Sequence, residues 1–379
     1  MKKLIIIFSF CFIGLFINAQ ESTNYYKLLR EAEHYIVDSD LQAAVNTYDN
    51  AFETYNYPFA KDLTAGAFVA HYANDTTKLY KYIAILLKRG MSLRELKKFV
   101  ERRPNDKRIL QFENNFLTYQ EIYLNSIDYE MEKKFRDLDK RNQVDISYIR
   151  LNFKDKDKSK KERAKADSLL VNKYVLLVNK YGFPIEDKLG LGSHIFIKMS
   201  DEEKNTFHKC INYEFIKEPD IRKLPKDSVW FGYSYIKNTS LTKINLRRGN
   251  SFLWHVNLKR HRNLDALLKE AIKDLKVYPD FYLSCKERSG EDYYMGWESK
   301  VKQKYGFDLK KIIKKDPQAV HKINKRRQEY NLRTLEEDLL LFYAIQQLEG
   351  EAYKYKHVFS RKMKTNSLFL NSLFTFMFP

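Results

Sequence analysis

The sequence predicts a mostly α-helical protein: a short helical array, then a larger helical domain with room for one small β-hairpin at 229–246. Three observations carry this. Gly (12) and Pro (8) are scarce in 379 residues, against averages of roughly 7% and 5%, and few breakers favour long helices over a turn-rich sandwich. Apolar residues recur at three- and four-residue spacing along most of the chain. Ser92–Glu95, Ser200–Glu203 and Thr334–Glu337 are capping boxes that open helical patterns. With 27 Tyr and 26 Phe, the apolar content fills a core and excludes a disordered chain.

The first element is an address. Lys2 and Lys3 precede the apolar run Leu4–Ile17, and Ala19 offers a small residue for cleavage. This is the layout of a secretory signal peptide, although Ile17 sits where a second small residue is preferred. The run is too short to span a bilayer, which takes roughly 20 residues. The expectation is an exported chain, periplasmic or extracellular, with 1–19 removed and no transmembrane span in the mature form.

Residues 22–55 read as two helices. Tyr25, Leu28, Leu29, Ala32, Tyr35 and Ile36 form one apolar stripe, and Leu41, Ala44, Val45, Tyr48, Ala51 and Phe52 form the next, with Asp38-Ser39-Asp40 between them. Phe59–Ala73 and Leu79–Lys88 make a second pair, with cap residues at Asn74-Asp75-Thr76-Thr77 and Gly90 at its end. A third helix follows Ser92 and stops before Pro104. The order of small and aromatic positions resembles a tetratricopeptide repeat, whose unit is about 34 residues. The array is expected over 21–104.

Residues 106–140 carry a helical pattern through Ile109, Phe112, Phe116, Tyr119, Ile122 and Tyr123. The charge run 154–165 reads as a solvated helical segment, followed by an amphipathic Ala166–Lys180. Gly182, Pro184, Gly190 and Gly192 mark an irregular loop. Val229–Ile236 and Leu241–Leu246 are the strand candidates around Lys237-Asn238-Thr239-Ser240. Asn263 is expected to cap a helix over Leu264–Leu275, and Thr334 a helix over Leu339–Leu348. The larger domain is expected over 105–350, with 351–379 as an apolar tail.

Lys180-Tyr181-Gly182-Phe183-Pro184, after an amphipathic helix, and Asn324-Lys325-Arg326-Arg327 before the last capped helix resemble two motifs of a bacterial family of exported domains of unknown function. Leu138-Asp139-Lys140-Arg141 resembles that family's opening. The resemblance covers roughly 120–350 and implies an envelope setting behind tetratricopeptide-like repeats. It implies no activity. Such domains often carry a His-x-Asp pair after the loop; here Met199-Ser200-Asp201 stands in its place, and His194 is off that spacing.

No zinc-protease helix, phosphate-binding glycine loop or nucleophile elbow is present, and no cofactor is expected. His208 and Cys210 with His255 and His261 would satisfy zinc in number, but they are scattered, and the default is no metal site. Cys210 and Cys285 either form one disulfide, as an oxidising compartment allows, or stay as two buried thiols. The functional candidates are His194, Asp201, His208 and Arg326. For Arg326 the plain alternative is an ordinary helix-face ion pair.

The formal charge is +19. Its densest stretches are Lys302–Arg327, with ten basic residues against Asp308 and Asp316, and 154–165. Charge of this kind attracts anionic partners, and it also simply solvates a surface. Export argues against nucleic acid and for an anionic envelope surface. The leading expectation is a module that binds or scaffolds an envelope protein or peptide. Its rivals are a hydrolase with a site in 180–300, and adhesion to anionic surfaces through basic faces.

Overall fold

The computed structural model describes residues 24–190, 253, 256–294, 300–305 and 308–353. Among them every regular element is helical, as the scarcity of breakers predicts. The leader at 1–19, the hairpin at 229–246 and the tail beyond Tyr353 lie outside the described residues.

In chain order the first helices are α1 (24–37), α2 (Leu41–Thr54), α3 (Ala60–Tyr72), α4 (Thr76–Lys88), α5 (Leu93–Arg102), α6 (Lys107–Asn114), α7 (Phe116–Ser126) and α8 (Tyr129–Asn152). Then come α9 (Lys156–Tyr181), α10 (Glu186–Leu189), α11 (Arg262–Lys273), α12 (Pro279–Arg288), α13 (Lys300–Tyr305), α14 (Leu309–Lys315), α15 (Pro317–Gln328) and α16 (Leu335–Tyr353). A 3-10 turn at Leu258–Arg260 precedes α11.

The chain falls into two compact units. One joins the helices before Ile83 to those after Ala266, and the other holds what lies between Ala84 and Asp265. Sequence periodicity registers local helix pairs, whereas the first unit is tied by side chains some 220 to 300 residues apart.

In the first unit α2 packs on α3. The small residues Ala32, Ala44, Ala51, Ala67 and Ala70 are all fully buried, as their spacing predicts. Gly66 permits the closest approach: a Cβ there would lie 2.9 Å from the Phe52 ring and 3.2 Å from that of Tyr82. Those rings meet edge to face at 5.2 Å. Asp40 caps α2 by accepting from the Ala43 N–H at 3.0 Å, and Asp75 caps α4 through the Lys78 N–H at 3.0 Å. Further along, α14 packs on both α15 and α16.

In the second unit α8 and α9 form a long hairpin, and α10 packs on α8. The charge run and the apolar segment after it make one continuous helix, capped by Asp155. It stops at Gly182 (φ 83°), whose N–H donates to the Val178 carbonyl at 2.8 Å. The Lys180–Pro184 motif is thus a helix end. The single pattern expected over 106–140 is broken twice, where Asn115 separates α6 from α7 and Asp128 caps α8 through the Met131 N–H. Asn263 is not a cap, because α11 starts at Arg262 and encloses it. Ser92 and Glu95 form the predicted reciprocal box, as do Thr334 and Glu337.

Candidate functional site: a buried polar centre in the first unit

Helix α3 is buried along nearly its whole length, from Ala60 to Ala70. Its first turn nevertheless carries two charges, Lys61 and Asp62. Carboxylates are favoured at a helix amino end by the unpaired N–H groups there. Asp62 is reached from two other segments. The Tyr25 hydroxyl on α1 donates to Oδ2 at 2.6 Å. The Tyr278 hydroxyl, just before α12, donates to Oδ1 at 3.3 Å.

Lys61 has its own partners. Its ammonium donates to Asp280 Oδ2 at 2.6 Å and lies 4.2 Å from the centre of the Tyr278 ring. Asp280 sits in the first turn of α12, where Pro279 supplies the fixed φ suited to a helix start. The two helix starts therefore present their carboxylates to one lysine and two tyrosines. Lys61, Asp62 and Asp280 are each less than a tenth exposed. Rings seal the rest. Phe59 meets Tyr278 at 5.2 Å, and Tyr26 meets it at 6.2 Å, both edge to face.

Burial pushes the Asp62 carboxyl up to about 6, with the Lys61 ammonium and the Tyr25 hydrogen bond pulling the other way. Burial, then the Asp62 charge, raises the Tyr25 phenol well above its ordinary range. Both tyrosines therefore stay neutral and serve as donors.

A second polar group lies in the same unit. Arg327 on α15 is buried and paired with Asp338 on α16. Its Nε donates to the Arg333 carbonyl at 2.5 Å and its Nη1 to the Tyr293 carbonyl at 3.2 Å. Arg333 binds Asp338 Oδ1 through Nε at 2.5 Å and reaches Glu33 on α1 through Nη1. Burial pushes the Asp338 carboxyl up, but Arg327 and Arg333 more than offset this and hold it below the usual range.

Of the residues singled out from sequence, His194, Asp201, His208 and Cys210 lie outside the described residues. Cys285 is fully buried in α12. Arg326 is half-buried and donates from Nη1 to the Asp292 carbonyl at 3.0 Å. It is the neighbouring Arg327 that occupies the buried ion network. Among the described residues, His, Cys, Asp and Glu do not gather in groups of three or more able to hold a metal ion. No described helix is long and apolar enough to cross a membrane.

Sequence reasoning missed Lys61, Asp62, Tyr278, Asp280, Glu33, Arg333 and Asp338. A signal existed for the first two. Lys-Asp opens a helix whose next eight residues, Leu63-Thr64-Ala65-Gly66-Ala67-Phe68-Val69-Ala70, are small or apolar all round. A helix of that kind is buried, so charges at its start must find partners inside.

This geometry defines a helical protein whose first unit holds two clusters of largely buried, oppositely charged groups, Lys61 with Asp280 beside Asp62, and Arg327 with Arg333 and Asp338. Neither a protein family, nor a curated protein, nor a solved structure matches the chain.

Proposed function

We propose that the chain is an exported scaffold of the cell envelope that binds a protein or peptide segment on its helical surface. The observation that carries this reading is the occupancy of the polar centre. Both oxygens of Asp62 accept from tyrosines, and Lys61 is held on Asp280. A general acid or base must reach the proton it moves, within about 3 Å of substrate. An acid sealed by Tyr25, Tyr26 and Phe59 serves the rigidity of a platform instead. The export part of the reading rests on Lys2, Lys3, the run Leu4–Ile17 and Ala19.

Two measurements test it. Intact mass of the chain from an envelope fraction should lack Met1–Ala19. Cross-linking of the full chain in envelope extract should recover one partner joined through exposed positions of α1 and α2. Retention of the leader sinks the address. Hydrolysis of peptide, ester or glycoside substrates that Asp62→Asn abolishes, in a variant still folded by circular dichroism, sinks the scaffold.

A further inference from the structure

The outer face of α9 alternates basic and apolar residues: Lys165, Leu169, Lys173, Leu176 and Lys180. At 100° per residue these five fall within an arc of about 80° on the helix. The opposite side of α9 is the one that meets α8. There Asp167, Val171, Tyr174 and Val178 are buried, Tyr174 packs on Phe135 at 5.6 Å, and Arg163 Nη2 donates to Asn142 at 3.1 Å. Leu169 and Leu176 are each 67% exposed, and the three lysines are exposed beside them.

Acidic residues are few on this face. Glu162 is bonded to Lys165 at 2.7 Å, and Asp157 pairs with Lys160 at 3.5 Å. Lys158 and Lys161 extend the stripe toward the start of the helix. Over the whole of α9, eight basic residues stand against Asp157, Glu162 and Asp167.

We propose that this ridge docks α9 flat on an anionic lipid surface. The shape and the charge together favour lipid over an acidic protein. The stripe is a convex ridge with two leucines about 10 Å apart along the axis. That is too little apolar surface for the central cluster of a stable protein interface. A bilayer deforms around a ridge, takes leucine tips at the headgroup level and leaves lysine ends among the phosphates while their stems lie on the apolar boundary. The chain's charge of +19 adds long-range attraction to the same surface. The inference does not depend on the scaffold reading, because it concerns the second unit alone.

The test uses the full chain and vesicles of phosphatidylcholine, with or without about 30% phosphatidylglycerol as the anionic component. The chain should float with anionic vesicles, stay behind with neutral ones, and be released by high salt. Each lysine near an anionic surface is worth about fivefold, so Lys165→Gln, Lys173→Gln and Lys180→Gln together should weaken binding about a hundredfold. Leu169→Ser with Leu176→Ser should weaken it at unchanged charge. Lys310→Gln, Lys311→Gln and Lys314→Gln, which remove equal charge from exposed positions of α14, should change it by no more than about fivefold.

Absence of binding to anionic vesicles overturns the proposal. So does an equal loss in the α14 control, which would make the attraction a property of total charge. Capture by immobilised polyglutamate that vesicles fail to compete would assign the ridge to an acidic protein instead. Should a lysine variant lose its helical circular dichroism, Leu176→Trp in the otherwise unchanged chain gives the readout. The difference in emission between this variant and the unsubstituted chain, which already carries Trp230, Trp254 and Trp297, should shift to the blue on adding anionic vesicles, and an unmoved difference spectrum overturns the proposal.

Discussion

The ammonium of Lys61 and the carboxylate of Asp280 meet at 2.6 Å across 219 residues of sequence. Both are nearly buried, so neither can return to water when the other is removed. Such a pair contributes little net stability compared with a well-packed apolar pair, yet breaking it leaves a charge stranded. What it does supply is register: the start of α12 can dock on the start of α3 in only one way.

Lys61→Met is accordingly expected to cost about 3–5 kcal/mol in urea unfolding. Adding Asp280→Asn should recover a large part of that loss, because it removes the stranded charge. If the double variant is as unstable as the sum of the two singles, the pair is not coupled and the account of the centre is wrong.

Asp62 gives the first unit a pH signature. Its carboxyl titrates at about 6 in the fold, above roughly 3.9 in an unfolded chain. Between those values the folded state holds a proton that the unfolded chain has already released. Stability should therefore be highest below about pH 4 as far as this group is concerned, fall as pH rises to about 6, and stay level above. The full difference is about 3 kcal/mol. Asp338 is held down rather than up, so it acts with the opposite sign and at lower pH. The difference between wild type and Asp62→Asn isolates the Asp62 contribution. Denaturant midpoints measured from pH 4 to 7 should show a slope in wild type that Asp62→Asn lacks; parallel curves would contradict it.

Arg327→Lys should not behave as a conservative change. The guanidinium uses three directions at once, toward Asp338, the Arg333 carbonyl and the Tyr293 carbonyl. An ammonium keeps the charge but not the planar fork. Two carbonyls then lose a charged donor, an expected cost of about 2–4 kcal/mol. Arg326→Lys, with one hydrogen bond to a carbonyl and partial exposure, should stay within about 1 kcal/mol of wild type. Urea midpoints of the two variants compare the neighbours directly.

Legibility in the sequence followed the range of the interaction. Asp40, Asp75 and the boxes at Ser92 and Thr334 act on N–H groups three residues ahead, and local chemistry alone places them. The buried alanines were equally legible, since helical spacing puts them on one face. Tyr35 was not: it follows the same periodicity but is half-exposed and bonds weakly to Glu31 at 3.5 Å. The polar centre was illegible because no local pattern pairs Lys61 with Asp280, or Glu33 with Arg333. A charged residue reads as solvated unless its helix is recognised as buried all round, and the run Leu63–Ala70 of α3 carries that signal.

The second unit offers a prediction that sequence hinted at only as a helix-end glycine, Gly90, and a loop glycine, Gly190. Tyr123 on α7 is fully buried, and two glycines close on its ring from different segments. A Cβ on Gly90 would lie 2.8 Å from Tyr123 Cζ, and one on Gly190 would overlap the ring edge outright. Both glycines have positive φ, 97° and 62°, where an L side chain is already strained. Nor can the ring step aside freely. Its hydroxyl faces the Leu189 carbonyl at 3.5 Å, and the neighbouring chain is fixed by the Asp128 N–H donating to the Lys188 carbonyl at 2.8 Å. Gly190→Ala should thus cost about 2–4 kcal/mol, combining backbone strain with overpacking. Tyr123→Leu alone should also destabilise, by leaving a cavity where the ring was. In combination the two changes should cost less than their sum, because the smaller side chain makes room for the new methyl group. Urea unfolding of the two singles and the double gives the coupling directly; strict additivity would show that Gly190 is required by its backbone angle and not by the Tyr123 ring.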